Sequence, residues 1–276
     1  MTLLLKIGGA QGIDGGNVVE DIASLVAQGR QVVVVHGGSD ATSTLQQELG
    51  RPARFLTSPS GHSSRRTDRE DLEAFAMATA LVNRRLVEAL ASKGVRAFGL
   101  SGLDGGLVRG PRKANVRAVV DGRVIVVRDQ WTGRPAEVRG DLLAALLDVG
   151  FVPVVAPVIG GPRGEMLNAD GDRLAAALAA SLRAEDFVIL TNVPGLLEDP
   201  GDEGTLVPHI RAVDFESFES LAKGRMRKKL MGAKEALGGG VRRIVIADAR
   251  AENPLQRALA GHGTVIEVDE QAEVTQ

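Results

Sequence analysis

Cysteine and tyrosine are absent from this 276-residue chain, which holds a single tryptophan. Without cysteine there is neither a disulfide framework nor a thiolate metal site. So few aromatic rings exclude a stacking platform for nucleic acid, and a formal net charge of −2 supplies no overall attraction for one. No apolar run reaches the length of a membrane span, and no signal-peptide pattern precedes the first apolar stretch. The expectation is a cytoplasmic chain that engages neither membrane nor nucleic acid. Familiar motifs are missing too. There is no Gly-Lys dipeptide, hence no Walker-type loop, and neither G-x-G-x-x-G nor G-x-S-x-G occurs. His36, His62, His209 and His262 are too dispersed for a metal motif. Dehydrogenase and serine-hydrolase readings lose their usual support.

What is present begins at the first ten residues. Leu3-Leu4-Leu5 is an apolar run, followed by Lys6-Ile7 and the pair Gly8-Gly9. That reads as a buried strand entering a tight turn, with a lysine where charge is costly unless it meets an anion. Read alone, it is a lysine snorkelling from a strand end. Further turns of the same kind make it a candidate phosphate cradle. They are His36-Gly37-Gly38-Ser39, Ser101-Gly102 and Thr191-Asn192-Val193-Pro194-Gly195, each at the end of an apolar strand. In an open parallel sheet, ligands bind at the carboxyl ends of the strands.

The 44% hydrophobic and 25% charged content fits a soluble globular chain, long enough for one large α/β domain or two modest lobes. Helical spacing marks 17–28, 40–49, 68–91, 135–149, 173–182, 214–222, 226–237 and 254–259. Strands are expected at 31–35, 95–100, 151–156, 187–190, 243–247 and 263–268. Apolar strands separated by helices imply a mostly parallel sheet covered on both faces. Residues 51–68, 157–165 and 198–212 read as loops, and 269–276 as a frayed tail. A composition change near Pro157 divides a lobe of residues 1–157 from one of 158–276, sharing one sheet.

One segment breaks this rhythm. Residues 116–120 and 123–127, joined by Asp121-Gly122, form a β-hairpin with a strong turn signal. From Arg109 to Arg134 the chain carries seven basic and two acidic residues, a local charge of +5. A solvated hairpin and a surface for a negatively charged partner account for it equally.

Taken in order, Lys6-Ile7-Gly8-Gly9, His36-Gly37-Gly38, Arg65-x-Thr67, Asn168-Ala169-Asp170, Thr191-Asn192-Val193-Pro194-Gly195-Leu196 and Gly224-x-Met226-x-x-Lys229 resemble the amino acid kinase family, near the N-acetylglutamate kinases. They span nearly the whole chain. Residues 61–68 and Ser101-Gly102-Leu103-Asp104-Gly105 resemble the branch acting on 2-aminoadipate attached to a small acidic amino-group carrier protein. That branch serves lysine biosynthesis, and in some organisms arginine biosynthesis through carrier-bound glutamate. Three positions depart from the acetylglutamate enzymes: Ser39 for a third glycine, Asn192 for aspartate, and Met166 for a second asparagine.

The resemblance implies an α/β fold with an open, mostly parallel sheet sandwiched between helices and a hairpin excursion. It implies ATP as co-substrate, Mg²⁺ held largely by the nucleotide, no protein metal site, and a homodimer. Lys6 and Lys229 would supply positive charge to the transferring phosphoryl group, with Asp170 holding both ammonium groups. A helix N-cap is the other role open to Asp170. Gly37, Gly38, Arg65 and Asn168 would bind the amino-acid end. Gly8, Gly9, Thr191, Asn192, Val193, Gly195, Leu196 and Met226 would bind the nucleotide. A side-chain carboxylate, with a pKa of about 4.3, is already an ionised nucleophile. No general base is required. Free N-acetylglutamate is the alternative acceptor, and a non-catalytic amino-acid-binding regulator is the alternative of another class.

Overall fold

A computed structural model describes residues 2–9, 15–59, 61, 63–222 and 224–268. His62 and the tail at 269–276 lie outside the described residues. The first half comprises β1 (Thr2–Ile7), α1 (Gly15–Ala27), β2 (Gln31–His36), α2 (Ser39–Glu48), β3 (Phe55–Thr57), β4 (Ser63–Arg65), α3 (Arg69–Ser92), β5 (Ala97–Gly102), β6 (Val108–Arg109), β7 (Val116–Val120) and β8 (Arg123–Val127). Then follow β9 (Thr132–Gly133), β10 (Glu137–Val138), α4 (Gly140–Asp148), β11 (Val152–Gly160), β12 (Met166–Ala169), α5 (Gly171–Leu182), β13 (Asp186–Thr191), β14 (His209–Arg211), α6 (Phe215–Glu219), α7 (Gly224–Gly238), β15 (Arg243–Asp248), α8 (Pro254–Leu259) and β16 (Thr264–Glu267).

One sheet of 12 strands carries the fold, in the order β10-β6-β11-β2-β1-β13-β15-β16-β14, with β5 and β12 also on β11 and β9 on β12. The run from β11 through β2, β1 and β13 to β15 is parallel throughout. The middles of its strands are apolar on both faces because both faces are covered, with polar residues towards the strand ends. Leu4, Val33, Val35 and Ile189 pack with Leu174 and Leu178 of α5 and Leu230 and Ala233 of α7. Leu3, Leu5, Val32, Val34 and Val188 pack on the other face with α1, α3 and α8. Side chains alternate along a strand, so Lys6 follows Leu4 onto the α5–α7 face. That parity decides which helices its ammonium can meet.

A second sheet of four strands, β4-β3-β7-β8, stands apart from the first. The expected hairpin is there, turning through Asp121 (φ 49°) and Gly122 (φ 74°), the two left-handed residues a tight hairpin requires. Residues 51–68, expected as loop, supply its other two strands; at three residues each they leave no alternation to read.

Other boundaries moved for similar reasons. The helix expected at 135–149 starts at Gly140, and Glu137-Val138 pairs instead with Val108-Arg109. The strand expected to stop at 156 runs to Gly160. Pro157 falls where the ladder with β5 ends at Ala156 and that with β12 begins at Val158, so its missing N–H costs no bond there. Within 198–212, Glu203–Thr205 is a 3₁₀ turn and β14 joins β16.

Candidate active site

Three of the four glycine turns converge. The Gly8 N–H donates to the Leu190 carbonyl (3.0 Å), the Gly37 N–H to the Ile7 carbonyl (2.9 Å), and the Asp40 N–H to the Gly9 carbonyl (3.1 Å). These bonds tie the ends of β1, β2 and β13 together. Gly9 and Gly37 meet backbone to backbone: a Cβ on Gly37 would lie 2.5 Å from the Gly9 nitrogen, and one on Gly9 2.5 Å from the Gly38 nitrogen. Neither tolerates a side chain. The third turn is fastened by Thr264, whose Oγ accepts the Leu196 N–H at 2.8 Å.

The turns open into a cavity of about 940 Å³, within the usual range for a ligand site. Every residue given a catalytic, substrate-binding or nucleotide-binding role from the sequence lines it. Lys6, Gly8, Gly9, Gly37, Gly38, Arg65, Asn168 and Asp170 border it, as do Thr191, Asn192, Val193, Gly195, Leu196, Met226 and Lys229. The Ser101-Gly102 turn does not. It is the end of β5, which among the described residues pairs with β11 alone, and Asp104 closes it by accepting the Ser101 N–H (2.7 Å) and hydroxyl (2.9 Å).

The expected role of Asp170 is corrected by the geometry. The carboxylate between the two lysines is Asp172: Lys6 Nζ lies 2.6 Å from its Oδ1 and Lys229 Nζ 3.4 Å from its Oδ2. All three are buried. Asp170 is the N-cap of α5, accepting the Asp172 and Arg173 N–H groups (3.0 and 3.3 Å), and faces Lys228 at 3.6 Å. With the cap occupied by Asp170, the acid two residues on, in the first helical turn, points at the sheet. The pattern Asp170-Gly171-Asp172 carried that signal. α7 approaches closely because a Cβ on Gly232 would already lie 3.1 Å from the Asp172 carbonyl oxygen. Lys229 therefore reaches Asp172 from above, while Lys228 stays at the pocket wall.

Burial alone would raise the Asp172 pKa, but Lys6 and then Lys229 hold it down at about 2. Lys229 is lowered to about 8, first by burial and then by the like charge of Lys6, against the pull of Asp172. Two ammonium groups on one carboxylate leave a buried net charge of +1 facing the glycine turns. His36 is lowered to about 4, chiefly by burial, and is neutral. Its ring meets the Gly37 carbonyl (2.9 Å) and Asn83 (3.1 Å), so it is a strut.

At the amino-acid end, the Arg65 guanidinium donates to Gln46 Oε1 (2.6 Å), the Ser39 carbonyl (2.8 Å) and Ser43 Oγ (2.7 Å). It is thereby fixed along α2 from Ser39 to Gln46 and lies over the Phe55 ring at 5.1 Å. Burial lowers its pKa, with Asp71 opposing. Asn168 donates to Thr67 Oγ1 at 3.1 Å, which joins the Arg65-x-Thr67 and Asn168-Ala169-Asp170 segments in space. Met166 packs with Leu72, Phe75 and Val158 instead of lining the cavity. Among the described residues no three His, Asp or Glu side chains converge as a metal site.

Known proteins carry the same arrangement of sequence. The chain is 49% identical over 267 residues to a [LysW]-aminoadipate kinase of Thermus thermophilus, covering 96% of this chain and 99% of that one. It is 47% identical over 265 residues to a [LysW]-aminoadipate kinase of Deinococcus radiodurans, covering 96% and 91%. Among solved structures it is similar to the N-acetylglutamate synthase of Neisseria gonorrhoeae complexed with coenzyme A and N-acetylglutamate. The TM-score is 0.79 at 26% identity, covering 97% of this chain and 59% of that chain's length. With a match to the amino acid kinase family over residues 1–248, and these relatives aligned across nearly its whole length, this chain belongs to that family.

Proposed function

We propose that the protein is an ATP-dependent kinase that phosphorylates the side-chain carboxylate of 2-aminoadipate borne on a carrier protein, in lysine biosynthesis. The observation that carries the chemistry is the buried Lys6–Asp172–Lys229 trio at the focus of three glycine turns. The names of the Thermus and Deinococcus relatives support the acceptor.

The acceptor carboxylate arrives ionised, so no residue must remove a proton from it. Its oxygen attacks the γ-phosphorus, the bond from that phosphorus to the β–γ bridging oxygen breaks, and ADP leaves with the electron pair. The product is an acyl phosphate. Such a transfer needs in-line positioning and fixed positive charge. Lys6 and Lys229 supply that charge from a water-poor site, where it needs no reorganisation as the transition state forms. Asp172 sets their separation. Gly8 and Gly9 offer N–H groups to the phosphates. Thr191, Asn192, Val193, Gly195, Leu196 and Met226 receive the nucleotide in the lobe of residues 158–276. Gly37, Gly38, Arg65 and Asn168 take the amino acid in the lobe of residues 1–157, Arg65 through a charge-assisted contact to its carboxylate. Mg²⁺ would be held largely by the triphosphate and would neutralise part of its charge; both Asp170 and Asp172 border the cavity, and Asp172 already has two lysine partners.

The working unit is a homodimer. Met77 and Leu81 on α3, and Phe98 on the edge strand β5, are large apolar side chains left exposed on one chain. Among the described residues no helix is long and apolar enough to cross a membrane, in keeping with a cytoplasmic enzyme.

The test offers ATP with carrier-bound aminoadipate, carrier-bound glutamate and free N-acetylglutamate in parallel, trapping acyl phosphate with hydroxylamine. Highest kcat/KM on carrier-bound aminoadipate is the expected result. Preference for N-acetylglutamate would overturn the acceptor, and no hydroxamate with any would overturn the kinase reading in favour of a silent regulator.

A further inference from the structure

The turn His36-Gly37-Gly38 rests on α3, and a small polar network joins the two. Thr79 and Asn83, four residues apart, share the face of α3 that meets it. A Cβ on Gly38 would lie 2.5 Å from Thr79 Cγ2, so the helix packs directly against the turn. Asn83 is buried. Its amide nitrogen meets His36 Nε2 at 3.1 Å, the Val154 carbonyl at 2.7 Å and the Leu100 carbonyl at 3.4 Å. Its oxygen occupies space left open by Gly99, where any Cβ would collide with Asn83 Oδ1.

This network fixes where His36 carries its proton. Two carbonyl oxygens face the nitrogen end of the Asn83 side chain, where an amide oxygen would be repelled, so the NH₂ group lies there and donates. His36 Nε2 therefore accepts. The single proton of the neutral ring is on Nδ1, which donates it to the Gly37 carbonyl at 2.9 Å. The consequence is felt one bond away. The Gly37–Gly38 peptide is trans and planar, so its carbonyl and its N–H point to opposite sides. Holding the Gly37 oxygen against the ring turns the Gly38 N–H away from it. That N–H has no acceptor among the described residues, and Gly38 lines the cavity. The other tautomer would set a bare Nδ1 lone pair against the Gly37 oxygen and push the peptide out of this plane.

We propose that Asn83 is a positioning residue for the acceptor: by holding the His36 proton on Nδ1 it sets the plane of the Gly37–Gly38 peptide, and so presents the Gly38 N–H to the acceptor carboxylate. The inference rests on the carboxylate-phosphorylating reading proposed above and adds the residue that orients one of its substrate turns. Stability alone does not call for such a cluster. An apolar pair of the same shape would fill the space and leave no side-chain polar group to be satisfied, but it would not choose the direction of a peptide group.

The experiment pairs ¹⁵N NMR of the His36 ring with steady-state kinetics on ATP and on carrier loaded with aminoadipate. The chain has four histidines, so the His36 signals are those lost in His36→Asn. Wild type is expected to show a protonated Nδ1 and a bare Nε2, and Asn83→Asp, which lacks the amide donor, a protonated Nε2. His36→Asn keeps an N–H at the place of Nδ1, whereas His36→Gln keeps the reach of the ring but puts its N–H at the place of Nε2. Asn83→Asp and His36→Gln are expected to raise the KM for loaded carrier about tenfold or more, the scale of a misplaced positioning group, with the KM for ATP within about twofold of wild type. His36→Asn is expected to stay within about threefold of wild type for both substrates. A wild-type proton on Nε2 would overturn the proposal before any variant is made. So would His36→Asn as damaging as His36→Gln, which would reduce the ring to a filler, or a parallel rise in both KM values, which would mean a general distortion of the site. If wild type formed no acyl phosphate on loaded carrier, the parent reading would fall and this role with it, whereas a wrong tautomer would sink this role alone.

Discussion

One kind of positive charge lines the cavity and another stands on the small sheet beside it, and they are built in opposite ways. Lys6 and Lys229 are buried, share one carboxylate and sit on the covered face of the main sheet. Arg117, Arg123 and Arg128 stand in water on or beside a small four-stranded sheet. Buried charges are screened little and act through fixed geometry, whereas exposed ones act at the range of a Debye length and fade with salt. The first arrangement suits the bond being made, and the second suits the encounter with the molecule that brings it. The difference separates turnover from capture.

Changing pH breaks the comparison on the buried side, with the larger effect. In the proposed role Lys229 acts protonated, and its pKa of about 8 lies far below the ordinary lysine value. We expect kcat/KM for ATP to fall about tenfold per pH unit above about pH 8, the slope of a single deprotonation in the free enzyme. Lys229→Arg, charged throughout that range, is expected to turn over more slowly but without the alkaline limb. The stability signs differ for the two partners. Asp172 is lowered from 3.8 to about 2, so its contribution is fully present above about 3.8 and is lost as pH falls through 2. Lys229 is lowered from 10.5 to about 8, so burying its charge costs stability below about 8, and that cost fades as pH rises towards 10.5. Thermal unfolding followed across both windows checks the two signs.

Salt sharpens the comparison from the exposed side, with the smaller effect. Arg117→Glu/Arg123→Glu/Arg128→Glu is expected to raise the KM for loaded carrier severalfold at low ionic strength and to flatten its salt dependence. Stability should move by no more than about 0.5 kcal/mol per site, as for most surface substitutions. A salt dependence identical to wild type would remove these arginines from the encounter.

The legible parts were those that local chemistry dictates. Apolar runs ending in glycine marked the central strands, and Asp121-Gly122 marked the hairpin, because only a few residues adopt those turns. The glycine turns could be named, but which of them met could not. Ser101-Gly102 has the same composition as the others and lies off the cavity, since β5 is an edge strand. Strands of two or three residues, such as β3, β4, β9 and β10, leave no periodic trace, and β9 and β10 are held by partners far along the chain. The clearest miss was one acid in place of another two residues away. Both Asp170 and Asp172 open α5, and only the packing of α7 through Gly232 decides which of them receives Lys229.

That decision is open to one measurement: kcat of Asp172→Asn and Asp170→Asn at saturating ATP and acceptor. Asparagine caps a helix about as well as aspartate, so Asp170→Asn preserves α5. Asp172→Asn keeps the shape but leaves two buried ammonium groups without their shared countercharge. We expect a loss of about 10²–10³ in kcat for Asp172→Asn, the scale of removing a preorganised charge from a transition state. For Asp170→Asn we expect a loss within about tenfold, far short of that scale. The reverse order, with Asp170→Asn the more damaging, would contradict the assignment of Asp172.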